Sequence, residues 1–149
     1  WIRSDSFEGV VEDIGWYMTR IRTFERRPMF IPNSIMATAI IENPEEMYNR
    51  RIKTDIALEY DDVKKIPLIV NEIKDMLNNH PSIDNKQFLM VDFVQFSSYA
   101  LEINIYAFTK TTDWALWRTQ RQEIYILIAE IVEKHGAHFA YPTQIRISK

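Results

Sequence analysis

The stretch of sequence that decides the fold of the first part of the chain runs from residue 9 to residue 31. It reads Gly-Val-Val-Glu-Asp-Ile-Gly-Trp-Tyr-Met-Thr-Arg-Ile-Arg-Thr-Phe-Glu-Arg-Arg-Pro-Met-Phe-Ile. Residues 17–24 alternate between two faces, one of which carries Met18, Arg20 and Arg22. Such a period of two predicts a strand. The charged residues 25–27, followed by Pro28, predict a turn between this strand and the next.

Further short strands flank this stretch. The chain opens on what reads as the middle of a strand, and Pro32 ends the strand at residues 29–31 because proline cannot donate to a central ladder. Residues 37–42 form a fifth candidate strand. Five short, closely spaced strands predict a small all-β barrel or sandwich over residues 1–45.

The pattern changes after the polar residues 43–46, which we interpret as a domain boundary. A strand at residues 50–60 is followed by an amphipathic helix, strands at 88–96 and 100–108, a second helix and a last strand at 144–147. This βαββαβ order predicts an α+β ferredoxin-like domain over residues 46–143 and a terminal strand over residues 144–149, so the fold class is mixed. The expected buried positions of the two helices are Val63, Ile66, Val70, Ile73 and Leu77, then Trp114, Trp117, Ile124, Leu127, Ile128 and Ile131.

Composition excludes several classes of protein. The chain has 149 residues, a net charge of −3 and no cysteine, so it has neither a disulfide framework nor a thiolate metal site. The acidic balance disfavours binding to nucleic acid through phosphates. The longest charge-free apolar run, residues 30–41, falls well short of the ~20 residues that span a bilayer. Because the chain lacks an initiator methionine, we expect it to be a fragment of a longer protein.

Several short motifs occur in one order along the chain. Residues 9–14 follow the pattern G-x-V-x-x-I, residues 19–23 read T-R-I-R-T, residues 30–34 read F-I-P-N-S, residues 60–61 read Y-D, and residues 136–144 read G-A-H-F-A-Y-P-T-Q. In this order they resemble the cytoplasmic part of the small-conductance mechanosensitive ion channel (MscS) family. The turn at residues 25–28 departs from the family pattern, and so does Ala140, which stands where proline is common. Neither departure disturbs the order of the motifs.

The resemblance implies a cytoplasmic domain of a bacterial inner-membrane protein, with an Sm-like β domain that packs in a homo-heptameric ring. The ferredoxin-like domains would enclose a vestibule, upstream helices would cross the membrane, and the whole protein would carry out ion transport under tension during hypo-osmotic shock. No catalytic residue, metal or cofactor is implied. The family motifs give structural or assembly roles to Gly9, Val11, Ile14, Arg20, Ile21, Arg22, Thr23, Pro32, Asn33, Tyr60, Asp61, Phe139, Pro142 and Gln144.

Other functions also fit parts of the sequence. Arg20, Arg22, Arg26 and Arg27 would suit an Sm-like RNA-binding module, and the second half alone would suit a ligand-sensing regulatory domain. In a channel, the same arginines would line the vestibule or lie near anionic lipid headgroups. Metal binding by His135 and His138, or hydrolysis by a carboxylate pair at residues 12–13 or 61–62, finds no third ligand and no nucleophile in the sequence.

Overall fold

The computed structural model describes residues 1–142, and the chain divides into two compact units, Trp1–Met47 and a second that begins at Tyr48. The first unit is a four-stranded antiparallel sheet in the order β1-β2-β3-β4. Phe7, Ile21 and Ile31 form its small buried core. Its elements are β1 (Ile2–Arg3), β2 (Glu8–Ile14), β3 (Met18–Arg22), β4 (Pro28–Pro32), the short helix α1 (Asn33–Met36) and a 3-10 turn at Pro44–Glu46.

The fifth strand predicted at residues 37–42 is wrong. Residues 37–39 instead donate their N–H groups back to the carbonyl oxygens of Asn33 and Ile35, at 2.9 to 3.1 Å, and so extend the turn that α1 begins. Only Glu42 pairs, through two backbone hydrogen bonds with Arg3 of 2.8 and 3.0 Å. Local bonding from α1 therefore prevails over the strand preference of the isoleucines, which depends strongly on context.

The second unit places two helices against a three-stranded antiparallel sheet in the order β5-β7-β6. On β7, buried and half-buried residues alternate over all nine positions, as expected of a central strand with one face on the core. Its elements are β5 (Arg50–Leu58), a 3-10 turn (Tyr60–Lys65), α2 (Ile66–Asn79), β6 (Met90–Phe96), β7 (Leu101–Thr109) and α3 (Trp114–Lys134).

The buried faces of the helices differ in part from the prediction. Val63 is 44% exposed because it lies in the 3-10 turn before α2, and Ile69 takes its place in the core. Trp114 is 55% exposed and lies outside the core, and its ring contacts the side chain of Arg118. The core positions that agree with the prediction are Ile66, Ile73, Leu77, Ile124, Ile128 and Ile131.

The structure confirms a mixed α/β chain with two antiparallel sheets. A ferredoxin-like domain needs four strands. The described residues of the second unit form three strands, and Phe139 makes an isolated bridge to Leu58 of β5. The predicted strand at residues 144–147 lies outside the described residues. Within residues 1–142, no helix combines the length and the apolar character required to cross a membrane.

Candidate functional site

Asn33 ties the end of β4 to the loop between β2 and β3. Its side-chain oxygen accepts a hydrogen bond from the Thr19 hydroxyl and its amide nitrogen donates to the carbonyl oxygen of Gly15, both at 2.8 Å. Its backbone N–H donates to the carbonyl of Tyr17 at 2.9 Å. Pro32 is the last residue of β4, so Asn33 lies just beyond the strand. The Pro-Asn motif thus works as a lock on a hairpin.

Gly9 and Ile21 are packing positions of the same sheet. A Cβ atom on Gly9 would lie 2.5 Å from the carbonyl oxygen of Arg22, so glycine is required for the close approach of β2 to β3. Ile21 is fully buried, and Val11 packs against it from the opposite strand. Ile14, in contrast, is 74% exposed and contributes to surface, not core.

Arg20 and Arg22 both bind Glu12 on the outer face of this sheet. Arg22 makes two hydrogen bonds of 2.8 and 2.9 Å to the carboxylate, and Nε of Arg20 lies 3.2 Å from it. The hydrogen bonds from Arg22 lower the pKa of Glu12 and outweigh the opposing effect of burial. Glu12 can face both arginines because the pairing register of β2 shifts at this residue.

These ion pairs reduce the charge of the basic patch on which the RNA-binding hypothesis depended. Arg27 lies 3.1 Å from Glu25, so three of the four arginines of that patch are paired, and the two carboxylates of Glu12 and Glu25 offset half of its charge. Arg26 occupies the left-handed region, with φ of 68°, in the turn that Thr23 closes by hydrogen bonds to Arg27. Thr23 is therefore a turn residue.

The first unit exposes an unusual amount of apolar surface for its three-residue core. Trp16 and Tyr17, at the tip of the β2–β3 hairpin, are 96% and 86% exposed. Large exposed apolar areas mark contact surfaces. Others that are exposed on the three longer strands are Val10, Ile14, Met18, Met29 and Phe30.

In the second unit, the motif residue Tyr60 packs its ring on Phe96 and donates its hydroxyl to the carbonyl of Ser97 at 2.5 Å. Asp61 is exposed on the first turn after β5. The neighbouring Asp62, which the motif does not include, is buried with 3% exposure and has the more important contacts. Its only signal in the sequence was its place in an acidic pair before a helix.

Asp62 links the start of the α2 segment to the chain that follows α3. One carboxylate oxygen lies 2.7 Å from Nζ of Lys65, and the other accepts the backbone N–H of His138 at 2.7 Å. Lys65 also donates to the carbonyl of Gly136. Burial disfavours the charge of Asp62, but these hydrogen bonds outweigh it, so the pKa of Asp62 lies below its usual value. We call Asp62, Lys65, Gly136 and His138 the clasp.

The histidines that suggested a metal site are held apart. His135 lies 2.5 Å from Glu72 of α2, whereas His138 belongs to the clasp, with its ring nitrogen 3.8 Å from Asp62. A ligand set of Glu59, Asp62 and His138 has its atoms within 4.8 Å of one another. Both oxygens of Asp62 already accept hydrogen bonds, which does not favour a cation there. The two carboxylates at residues 61–62 do not share one site either, since Asp62 is buried and Asp61 is exposed.

The remaining motif residues lie at the end of the described chain. Phe139 pairs with Leu58 at the outer edge of β5 and is 38% exposed, and Pro142 is exposed. Gln144 lies outside the described residues. The motif residues are therefore spread over both units as packing, turn and edge positions, and the structure does not bring them together into one site.

Comparisons with known proteins identify both halves of the chain. Residues 1–46 match the family model described as "Mechanosensitive ion channel, beta-domain", and residues 52–139 match "Mechanosensitive ion channel MscS, C-terminal". The chain is 49% identical over 146 residues to the low conductance mechanosensitive channel YnaI of Escherichia coli, with 97% of this chain and 43% of that protein covered.

More distant relatives carry similar names. The small-conductance mechanosensitive channel MscMJ of Methanocaldococcus jannaschii is 33% identical, over 96% of this chain and 41% of its own. The chain thus spans about two fifths of the length of these curated relatives. Among solved structures, Arabidopsis thaliana MSL1 matches with a TM-score of 0.87 at 27% identity, over 95% of this chain and 51% of that chain.

Proposed function

Because the chain belongs to the mechanosensitive ion channel MscS family, we propose that it forms the cytoplasmic vestibule wall of a channel subunit. The observation that carries this proposal is the match of the two channel family models, in order, to residues 1–46 and 52–139. In this proposal the whole protein opens under membrane tension and releases ions and small solutes in hypo-osmotic shock. The relatives are named as channels, and no catalytic role is proposed for any residue of the chain.

The finer fold belongs to the same proposal. In it, the β domain of residues 1–45 is Sm-like and residues 46–143 are ferredoxin-like, whereas the terminal strand expected at residues 144–149 lies outside the described residues. The sheet order β5-β7-β6 and the Phe139 bridge on the free edge of β5 support the ferredoxin-like assignment, because a fourth strand added there would give the order expected of two split βαβ units.

A homo-heptamer is the proposed assembly, with the first units packed side by side in a ring. The support is the exposed apolar surface of a unit whose own core contains three buried side chains. A surface of this kind is stabilised when a neighbouring copy covers it. The motif residues then act indirectly: Gly9, Ile21 and Asn33 keep the sheet in the shape that the neighbour contacts.

Membrane attachment is proposed through helices upstream of Trp1, which place this chain on the cytoplasmic side of the bacterial inner membrane. The relatives extend well beyond the matched region, which leaves room for such helices. The β domain would then be the part of the chain nearest to the bilayer.

Tension-activated current is the decisive test of the proposal. The full-length protein is expressed in a bacterial strain that lacks mechanosensitive channels, and excised patches are stretched by suction. We expect discrete openings above a threshold tension, together with survival of osmotic downshock, and neither in cells that carry the empty vector. Full-length protein that reaches the membrane but never opens under suction would contradict the proposal.

A further inference from the structure

The first half of α3 carries aromatic rings and guanidinium groups that stack on one another. The guanidinium carbon of Arg118 lies 5.1 Å from the ring centre of Trp114, and that of Arg121 lies 4.4 Å from Trp117 and 5.7 Å from Tyr125. Residues three and four positions apart share one side of a helix, so the spacing of these five residues places them together. Stacking of this kind stabilises a guanidinium in one orientation.

Stacking occupies the face of a guanidinium and leaves its edge free. The five N–H donors lie in the plane of the group and point outward from its edge, where a carboxylate or phosphate can accept two of them at once. Within residues 1–142, neither Arg118 nor Arg121 forms an ion pair with a carboxylate, in contrast to Arg20, Arg22 and Arg27. Their donors are thus available to an anion from solution.

An open groove of about 490 Å³ runs beside these two arginines. Two arginines and no acidic residue are among its seven lining residues, so its local charge is opposite in sign to the net charge of the chain. The volume lies within the range of sites for small molecules, roughly 300 to 1,000 Å³. Further hydrogen-bonding groups on its wall come from Thr119, Gln122 and Tyr125.

We propose that this groove binds a small organic oxyanion, a carboxylate or a phosphate ester, through the paired edges of Arg118 and Arg121. The nearest acidic residue of the same helix, Glu123, is directed to His80, from which it lies 3.8 Å away, and so does not fill the groove. Ile126 and Ala129 give the groove an apolar end that suits the carbon skeleton of such an anion. The site goes beyond the proposed channel function, since binding of an anion can be measured on protein that does not conduct.

Binding is tested on the purified full-length protein by isothermal titration calorimetry at about 0.15 M salt, where interactions at the surface are screened beyond ~8 Å. The probes are glutamate for a carboxylate and inorganic phosphate for a phosphate. We expect one of them to bind with one site per chain and a millimolar or lower Kd. The Nε–H resonances of Arg118 and Arg121, observed by NMR on the 149-residue chain, should shift with the same probe.

Three double variants separate this site from general attraction by charge. Arg118→Gln with Arg121→Gln should weaken binding at least tenfold. Arg118→Lys with Arg121→Lys keeps both charges but loses the forked donors, and should weaken it about fivefold. The matched control, Arg26→Gln with Arg27→Gln, removes two arginines from the first unit and should leave Kd within twofold.

Two results would overturn the proposal. One is binding that survives the glutamine variant or is equal in the lysine variant, which would indicate charge alone. The other is an absence of binding by either probe. If the glutamine variant then also alters the mass of the assembly, the groove is a contact with a second copy instead. Far-UV circular dichroism of each variant verifies that the helices remain folded. Neither result depends on whether the protein conducts under tension.

Discussion

Asn33 shows at the scale of one residue how a short motif can act through hydrogen bonds alone. Thr19 is 2% exposed, so its hydroxyl has little access to water once its partner is removed. A buried polar group left without a partner costs about 1 to 3 kcal/mol. The motif is therefore better understood as a structural lock than as a chemical site.

We predict that Asn33→Ala destabilises the β2–β3 hairpin by about 2 kcal/mol, equivalent to about 30-fold faster amide exchange. The reason is that both the Thr19 hydroxyl and the Gly15 carbonyl lose their partner. Hydrogen–deuterium exchange of residues 15–22 measures the effect. Ser34→Ala, at the exposed next position, is the control and should leave the exchange unchanged. Equal exchange in the two variants would show that the Asn33 side chain does not stabilise the hairpin.

Asp62 predicts a dependence of stability on pH. Its pKa is lowered in the folded chain, so its contribution to stability is complete above its unfolded value, about 3.9, and is lost as pH falls through the folded value. At pH 7, Asp62→Ala should lower the free energy of unfolding of the second unit by about 2 kcal/mol because Lys65 and the His138 N–H lose their partner. The difference between variant and parent should shrink below pH 4.

The control for this prediction is the neighbouring carboxylate. Asp61→Ala removes the same group from an exposed position, and we expect a change within about 0.5 kcal/mol at every pH. Urea unfolding followed by circular dichroism at 222 nm reports mainly on α2 and α3, which contain most of the helix. A destabilisation by Asp62→Ala that stays constant down to pH 2 would show that the clasp does not depend on the charge.

At the scale of elements, Gly9 sets the distance between two strands. Gly9→Ala should destabilise the first unit by about 2 kcal/mol, since the added methyl group meets backbone atoms of Arg22 that cannot rotate away. The rate of limited proteolysis within residues 1–47 measures the loss. Gly15→Ala is the graded comparison: its Cβ would approach the carbonyl oxygen of Met18 to 3.0 Å, and a smaller acceleration is expected. A larger effect at Gly15 would reverse this argument.

Helix and strand boundaries show which elements follow from local pattern. The nine-residue strand β5 coincides with a period of two and the helix α2 with a clear period of 3.6 residues. The start of α3 follows from Asp113, which caps the helix by accepting the N–H of Leu116 at 2.6 Å. The composition of residues 37–42 predicts a strand, but these residues do not form one, because the helical turn that begins at Asn33 bonds residues 37–39 locally. Boundaries of this kind depend on hydrogen bonds that the pattern of apolar residues does not reveal.

At the scale of the whole molecule, the two units differ in how much they bury. Among residues 1–142, seventeen buried residues form the core of the second unit, and three form that of the first. We expect the first unit to depend on neighbouring copies, because a core of three side chains buries little apolar surface. We therefore expect residues 1–47 to contribute most of the contacts in the proposed assembly.

Assembly is tested by Phe30→Asp in the full-length protein. Phe30 is 57% exposed on β4, which has a free edge in this sheet, and a charge placed there opposes burial against a second copy. We predict a shift from the proposed heptamer to smaller species by native mass spectrometry in detergent. Ser6→Asp adds the same charge at an exposed polar position and should leave the mass unchanged. Heptamers from both variants would remove Phe30 from the interface.

The sequence by itself determined the family, the mixed fold class, the main strands and helices and the small packing motifs. Periodicity indicates which side of an element faces a core, and glycine, proline and asparagine indicate particular backbone conformations. These features can therefore be predicted residue by residue. Only the tertiary structure decided that Glu12 pairs with two arginines, that Asp62 rather than Asp61 joins the start of α2 to the chain after α3, and that Arg118 and Arg121 stack on rings. Most of these contacts join residues that are distant in sequence, and even those within α3 depend on side-chain orientation, which the order of residues does not specify.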